Sequence, residues 1–147
     1  VARSFSKGFG LAGLRAGYLL LPPGLAAAAN NLSNPYAVSS LSRHVAAAAL
    51  SEPEFLNELR ARTAAAKRRL LRPWRRLSFA HTDDSVAICM VVHADPNVDL
   101  AREFARRGVL AVSCEGFAGR NAARLRVPVG PRLEKVLTAM ERIDAGQ

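Results

Sequence analysis

From about residue 78 onward the apolar residues switch repeatedly between strand spacing and helix spacing, and this leaves few folds open. "SVAICMVVH", residues 85–93, is a nearly unbroken apolar run of strand length. "VDLAREFARRG" then reads as a helix that Asp99 begins and Gly108 ends. "VLAVS" (109–113) and "ARLRVPV" (123–129) read as further strands, the second with Pro128 near its end, and Pro131 opens a final amphipathic helix, "RLEKVLTAMERI". The order β-α-β-β-α predicts a small α/β sandwich with helices packed on one face of a sheet. Side chains alternate along a strand, so Arg124 and Arg126 share one face and Leu125 and Val127 the other.

The first half has a different texture. Residues 1–5 read as extended, and "GFGLAGLR" (8–15) combines flexible glycines with a single helical turn of Leu and Ala. "AGYLLLPP" predicts a buried strand, Ala16 to Leu21, stopped by Pro22 and Pro23 because proline cannot donate to a ladder. A short helix from Gly24 to Leu32 follows, then a turn in "SNPYAVSS", where Asn34 precedes Pro35. Ser39 or Ser40 is placed to cap a helix running to about Leu50. "SEPE", Ser51 to Glu54, has the spacing of a capping box ahead of a long helix to about Arg72. The composition shifts near residues 73–78, which marks a candidate boundary.

With 147 residues, half of them hydrophobic, the chain has the means to bury a core. Its formal net charge of +9 makes nucleic acid or an anionic membrane surface natural suspects. The charge is nonetheless mostly arginine spread along the chain, apart from one cluster, "KRRLLRPWRR", from Lys67 to Arg76. Trp74 within it suits base stacking, but no second aromatic is interleaved, and the run reads better as the basic last turn of a helix ended by Pro73. Cys89 and Cys114 lie far apart without metal-ligand or redox spacing, and read as small core hydrophobes in a reducing, cytoplasmic compartment. His44, His81 and His93 are scattered singly and read as structural, so no metal is expected. No apolar run has the length of a membrane span. The chain begins with Val1 rather than Met, and the expectation is a stretch of something longer.

The stretch "RSFSKGFGLAGLR", residues 3–15, carries the chemistry. The chain uses arginine eighteen times and lysine three times, so a lysine here needs a reason beyond charge. A primary amine can lose its proton and attack a carbonyl, whereas a guanidinium in a protein stays protonated. Around Lys7 stand the hydroxyls of Ser4 and Ser6, the permissive backbones of Gly8 and Gly10, and Arg15, whose forked cation suits a phosphate dianion. Such a set would hold pyridoxal phosphate through a Schiff base. By spacing alone the run reads slightly better as a solvated loop, since short Ser/Gly/Lys runs are common.

"SFSKGFGLAGLRAGY" resembles the cofactor-lysine segment of class I and II aminotransferases of fold type I, nearest the histidinol-phosphate aminotransferase-like branch. "NPYAVSS" is similar to that branch's Pro-Tyr-Asn-Val-Ser-Ser segment, "CEGFAG" to its Ser-Gly-Phe-Gly loop, and "RLRVPVG" to its Leu-Arg-Ile-Thr-Val-Gly strand. The resemblance implies that Lys7 carries pyridoxal 5'-phosphate as a Schiff base, that Ser4, Ser6 and Arg15 hold its phosphate, and that Gly13 and Gly17 serve close packing. It also implies that Arg126 receives the substrate carboxylate, and that an amino group passes between an amino acid, or amino-alcohol phosphate, and a 2-oxo acid. A homodimer is implied for the intact enzyme.

The resemblance covers the C-terminal half of such an enzyme: the end of the large cofactor domain in residues 1–33, linking helices in 34–76, and the small α/β domain in 77–147. The acid that pairs with the pyridinium nitrogen, the stacking aromatic ring and the glycine-bearing helix start have no counterpart here. Outside the small domain, the isolated chain is expected to fold poorly, because a strand taken from a parallel sheet lacks its neighbours. Two departures bear on the substrate. Val112 stands where the branch has an arginine for the substrate's phosphate, which counts against histidinol phosphate, and Ser85 stands where it usually has asparagine. Within the same fold, a decarboxylase resembling threonine-phosphate decarboxylase is the nearest rival. A basic nucleic-acid-binding module and a catalytically dead remnant are the other two.

Overall fold

A computed structural model describes residues 1–80, 83–84 and 86–147. The chain divides into two compact units, Val1–Leu59 and Arg60–Gln147. His81 and Ser85 fall outside the described residues.

In the first unit, strands β1 (Ala2–Ser4) and β2 (Gly17–Leu19) pair antiparallel, with Ala2 opposite Leu19 and Ser4 opposite Gly17. Between them the chain makes a short 3-10 turn at Ala12–Leu14. The predicted strand from Ala16 to Leu21 is thus shorter than its apolar run, and its described partner is the antiparallel β1. Helix α1 (Pro23–Leu32) starts on proline, whose fixed φ suits a first helical position. Helix α2 (Ser40–Leu50) begins as its sequence requires, with the Ser39 hydroxyl accepting from the Ser42 N–H at 3.1 Å.

The capping box does not form. Ser51 closes α2: its N–H donates back to Ala48, and its hydroxyl donates to the Ala47 carbonyl at 3.3 Å. Helix α3 (Pro53–Leu70) starts immediately afterwards on Pro53, which takes over the role of starting the helix. It carries Lys67, Arg68 and Arg69 in its last turn, as the basic cluster predicts, and runs from the first unit into the second.

The second unit is a four-stranded antiparallel sheet in the order β3-β4-β6-β5, formed by Leu77–Ala80, Ile88–His93, Ala122–Arg126 and Val112–Ser113. Helix α4 (Leu100–Arg106) joins β4 to β5, the single turn α5 (Glu115–Ala118) joins β5 to β6, and α6 (Pro131–Ala145) closes the unit. Asp99 accepts from the Arg102 N–H at 3.0 Å, and Gly108 follows α4 at φ +70°. Both signals mark the helix ends that they predicted. β3 and α5 lie beyond the sequence reading. "VLAVS" keeps only Val112 and Ser113 in a strand, because Leu110 and Ala111 make no ladder.

Period-two alternation sorts the sheet into two faces. Leu77, Cys89, Val91, Ala123, Leu125 and Val127 pack under α3, α4 and α6, against Leu70, Phe104, Leu133, Val136, Met140 and others. Complete burial of Phe104, Leu70, Leu125 and Met140 contributes roughly 1.5–3 kcal/mol each. The opposite face carries Ile88, Arg124, Arg126 and Val112 exposed to solvent and Met90 and Val92 half-buried. The α/β sandwich with helices on one face is the fold that the sequence predicts. No helix among the described residues is long and apolar enough to cross a membrane.

Candidate active site

The segment between β1 and β2 carries Ser6, Lys7 and Arg15, and Ser4 ends β1 just before it. Its shape comes from backbone bonds that cross it: Phe5 N–H donates to the Ala16 carbonyl at 3.2 Å, Leu11 N–H to Phe5 at 3.0 Å and Gly10 N–H to Lys7 at 3.1 Å. Phe5 is buried beneath the loop with Ala16 and Ala46, its ring 5.1 Å from Phe9 and 5.7 Å from Tyr18. This small apolar base leaves Lys7, Ser4 and Arg15 facing solvent and Ser6 half-buried.

Two glycines meet the demands placed on them. Gly10 sits at φ +69°, a conformation that favours glycine. A Cβ on Gly17 would lie 2.7 Å from the Arg3 carbonyl oxygen, so only glycine lets β2 approach β1 this closely. The others do not behave as expected. Gly13 has nothing within 4 Å of a Cβ position and serves no close packing here, and Gly8 adopts no glycine-specific backbone angle and would meet only Leu56, at 3.6 Å.

Arg15 carries the feature that its sequence does not announce. Among the described residues it is the one non-glycine at positive φ, +50°, and its guanidinium donates to the Ala12 carbonyl at 2.8 Å. A side chain held in this region stores strain of order 1 kcal/mol, which the surrounding loop must offset. The Ser4 hydroxyl accepts from the Ser6 N–H at 3.1 Å. As a donor set, one amine, two hydroxyls and one guanidinium in and beside a single loop fit a ligand that bears both a reactive carbonyl and a phosphate.

Arg126 belongs to the second unit. It ends β6 on the open face of the sheet, opposite Ile88 in register, while Arg124 lies opposite Met90 on one side and Val112 on the other. Both arginines are exposed, and neither makes an ion pair among the described residues. Ile88 and Met90 flank the pair, yet no chemical signal in the sequence marks them; only strand register brings them there.

Several other polar and titratable groups among the described residues have structural partners. Burial pushes the Cys89 thiol up to about 11, against a partial downward pull from the Lys67 charge, so it stays a protonated thiol at neutral pH. Cys114 is buried and free as well, as core hydrophobes would be. Lys67 is fully buried and donates to the Asp83 carbonyl at 2.5 Å, which removes the first residue of the basic cluster from the surface. Arg72 lies 4.4 Å over the Trp74 ring, whose N–H donates to the Leu70 carbonyl at 2.8 Å. Arg69 and Arg72 pair with Glu134 and Glu141 at 2.6 Å. Trp74 therefore finishes α3 and offers no free stacking platform. His44 bonds the Ser40 carbonyl at 2.8 Å, and buried His93 accepts from the Asp95 N–H at 3.0 Å.

The sequence has relatives of known kind. A histidinol-phosphate aminotransferase from Carboxydothermus hydrogenoformans is 34% identical over 127 residues, covering 86% of this chain and 35% of that protein. Among solved structures, the histidinol-phosphate aminotransferase of Sinorhizobium meliloti, in complex with pyridoxal-5'-phosphate, matches with a TM-score of 0.80 at 22% identity over 99% of this chain and 40% of that one. The L-threonine-O-3-phosphate decarboxylase of Porphyromonas gingivalis shares the fold, with a TM-score of 0.73 at 17% identity over 97% of this chain and 45% of that one. The chain thus spans less than half the length of each. The family profile described as "Aminotransferase class I and II" matches residues 1–143, and the chain belongs to that family.

Proposed function

We propose that this chain forms part of a pyridoxal-phosphate-dependent aminotransferase, in which Lys7 holds the cofactor and Arg126 orients the substrate. In this reading residues 1–33 end a large cofactor domain, 34–76 link it onward and 77–147 form the small domain of a cytoplasmic homodimer. One observation carries the proposal: Ser6, Lys7 and Arg15 share the single β1–β2 loop that Ser4 leads into from the end of β1, with the amine exposed, in a chain of the aminotransferase family.

When bound, pyridoxal 5'-phosphate supplies a carbonyl for covalent capture and an electron sink for the bond that breaks. Lys7 would hold the cofactor through its amine and, when free of it, would serve as the base and acid that moves the substrate's Cα proton. Ser4 and Ser6 donate hydroxyl hydrogen bonds to the phosphate, and Arg15 supplies its counter-charge. Arg126 offers two parallel donors that hold the substrate carboxylate and thereby the direction of the Cα–H bond.

The test is chemical. The chain is mixed with pyridoxal phosphate and reduced with borohydride, and the modified lysine is mapped by mass spectrometry. Lys67 is buried, so the comparison lies between Lys7 and exposed Lys135. Selective modification of Lys7 supports the reading; in the full-length protein, equal modification of Lys7 and Lys135, or none, overturns it. In the full-length protein, oxo-acid formation marks an aminotransferase, and carbon dioxide release marks a decarboxylase.

A further inference from the structure

We propose that the cleft between α4 and the end of α6 binds a small organic phosphate, at a place that shares no residue with the cofactor and substrate assignments above. The cleft lies wholly within the second unit and has a volume of about 1310 Å³. A space of that size suits a molecule as large as a nucleotide better than a bare ion.

The decisive group is at its floor. His93 ends β4 on the helix-covered face, in line with Cys89 and Val91, and is only 6% exposed. Asn121 fixes its backbone from both sides, with the His93 N–H donating to the Asn121 carbonyl at 2.8 Å and the Asn121 side-chain amide donating to the His93 carbonyl at 2.7 Å. The Asp95 N–H donates to the ring at Nδ1, so Nε2 carries the ring proton. Every fully enclosed side-chain nitrogen or oxygen among the described residues has a hydrogen-bond partner, and those residues offer none to Nε2. The Nε2 hydrogen therefore opens onto the cleft that His93 lines, as a fixed donor with room for an acceptor.

The walls set the chemistry of that acceptor. Among the described residues five arginines and three acids line the cleft, and the acids are engaged. Glu103 pairs with Arg106 and Arg107, Asp99 accepts from the Arg102 N–H, and Asp95 accepts from the Asn97 N–H. The last carbonyls of α6 are taken as well: Arg142 accepts from the Gln147 N–H, Ile143 from the Gly146 N–H, and Gln147 from the Arg107 guanidinium. Arg102 on α4 and Arg142 on α6 line the same space from opposite walls, and the buried His93 donor between them distinguishes this cleft from arginines scattered over a surface. A phosphate has three oxygens, enough to accept from His93, Arg102 and Arg142 together, where a carboxylate has two. Half-buried Val98 and buried Ile143 provide apolar surface for the organic body that carries the phosphate.

The experiment titrates the 147-residue chain with AMP, adenosine and inorganic phosphate at fixed ionic strength, following the amides of Asp95 and Asn97 and the His93 ring by NMR. AMP carries both anion and body, adenosine the body alone and phosphate the anion alone. AMP is expected to bind saturably and at least about tenfold more tightly than either. Arg102→Ala and Arg142→Ala, both at exposed positions, should each weaken AMP binding about tenfold. Arg68→Ala, at an exposed position on α3 outside the cleft, should change it by less than about twofold. His93→Phe removes the buried donor and should also weaken AMP about tenfold, read at the Asn97 amide; should that variant fail to fold, the comparison of arginines decides alone. No saturable shift at the cleft, adenosine binding as tightly as AMP, equal losses in Arg68→Ala and Arg102→Ala, or unchanged binding in folded His93→Phe each overturns the proposal.

Discussion

At the scale of single residues, Gly17 and Gly13 form a matched pair for testing what holds the lysine loop in place. A methyl group on Gly17 would press on the Arg3 carbonyl at 2.7 Å, and backbone at that spot has no room to yield without parting β1 from β2. Gly17→Ala is therefore expected to destabilise the strand pair by about 1–3 kcal/mol, seen as faster amide exchange at Tyr18 and reduced selectivity of cofactor labelling at Lys7. Gly13→Ala, with nothing within 4 Å, should leave both readouts unchanged. If the two substitutions behave alike, close strand approach is not what organises the loop. Arg15 belongs to the same scale, since its positive φ holds the residue in a conformation that a β-carbon disfavours.

At the scale of elements, Asp144 ties the end of α6 to the start of β3. Its carboxylate accepts from the backbone N–H groups of Arg75, Arg76 and Leu77 at 3.1, 2.6 and 3.2 Å. Partial burial pulls the carboxyl upward, but these three donors and the Arg76 charge outweigh it and hold the group below its ordinary value of 3.8. A carboxyl whose folded pKa is depressed contributes stability that is fully present above the ordinary value and is lost as pH falls through the folded one. Asp144→Asn should thus cost about 1–2 kcal/mol at neutral pH, and the difference from wild type should shrink below about pH 3.8 in denaturant titrations. A difference that is constant with pH would mean that charge plays no part. This tie also shows where the sequence falls silent. Strands and helices whose signals are local, such as β4, β6 and the Asp99-capped α4, are legible from spacing. β3 is not: four residues, "LSFA", carry too little pattern, and its start is held by a carboxylate nearly seventy positions away. The capping box at Ser51 fails for a related reason, because the same serine is claimed first by the end of α2. In the candidate site, Lys7 and its hydroxyl neighbours are legible as a run, and Arg124 and Arg126 as one face, but the Met90 and Val112 flanks of Arg124 emerge only with the register.

At the scale of the whole molecule, the two units differ sharply in what they bury. The second unit encloses a core that reaches from Ala66 on α3 to Ile143 on α6, through both central strands. The first unit buries Phe5, Ala16 and Ala46, with Phe9, Leu11 and Val38 partly covered, and leaves Leu19, Leu20, Leu25, Leu32, Tyr36 and Leu41 exposed. Burial of apolar surface is the main favourable contribution to folding, while ordering each residue costs about 1–2 kcal/mol of backbone entropy. An isolated two-stranded ribbon is marginal by itself, so the first unit has little to set against that cost. Native-state hydrogen exchange on the 147-residue chain should divide accordingly, with β4 and β6 amides protected up to the global unfolding free energy and β1, β2 and α1 amides exchanging orders of magnitude faster. Phe104→Ala, which opens the core of the second unit at a fully buried ring, should cost about 3–5 kcal/mol and lower protection in β4 and β6 while leaving the already fast amides of β1 and β2 where they were. Uniform protection across both units would show instead that the chain unfolds as one cooperative body. The exposed leucines would then have to be stabilised by something other than the burial that the first unit achieves.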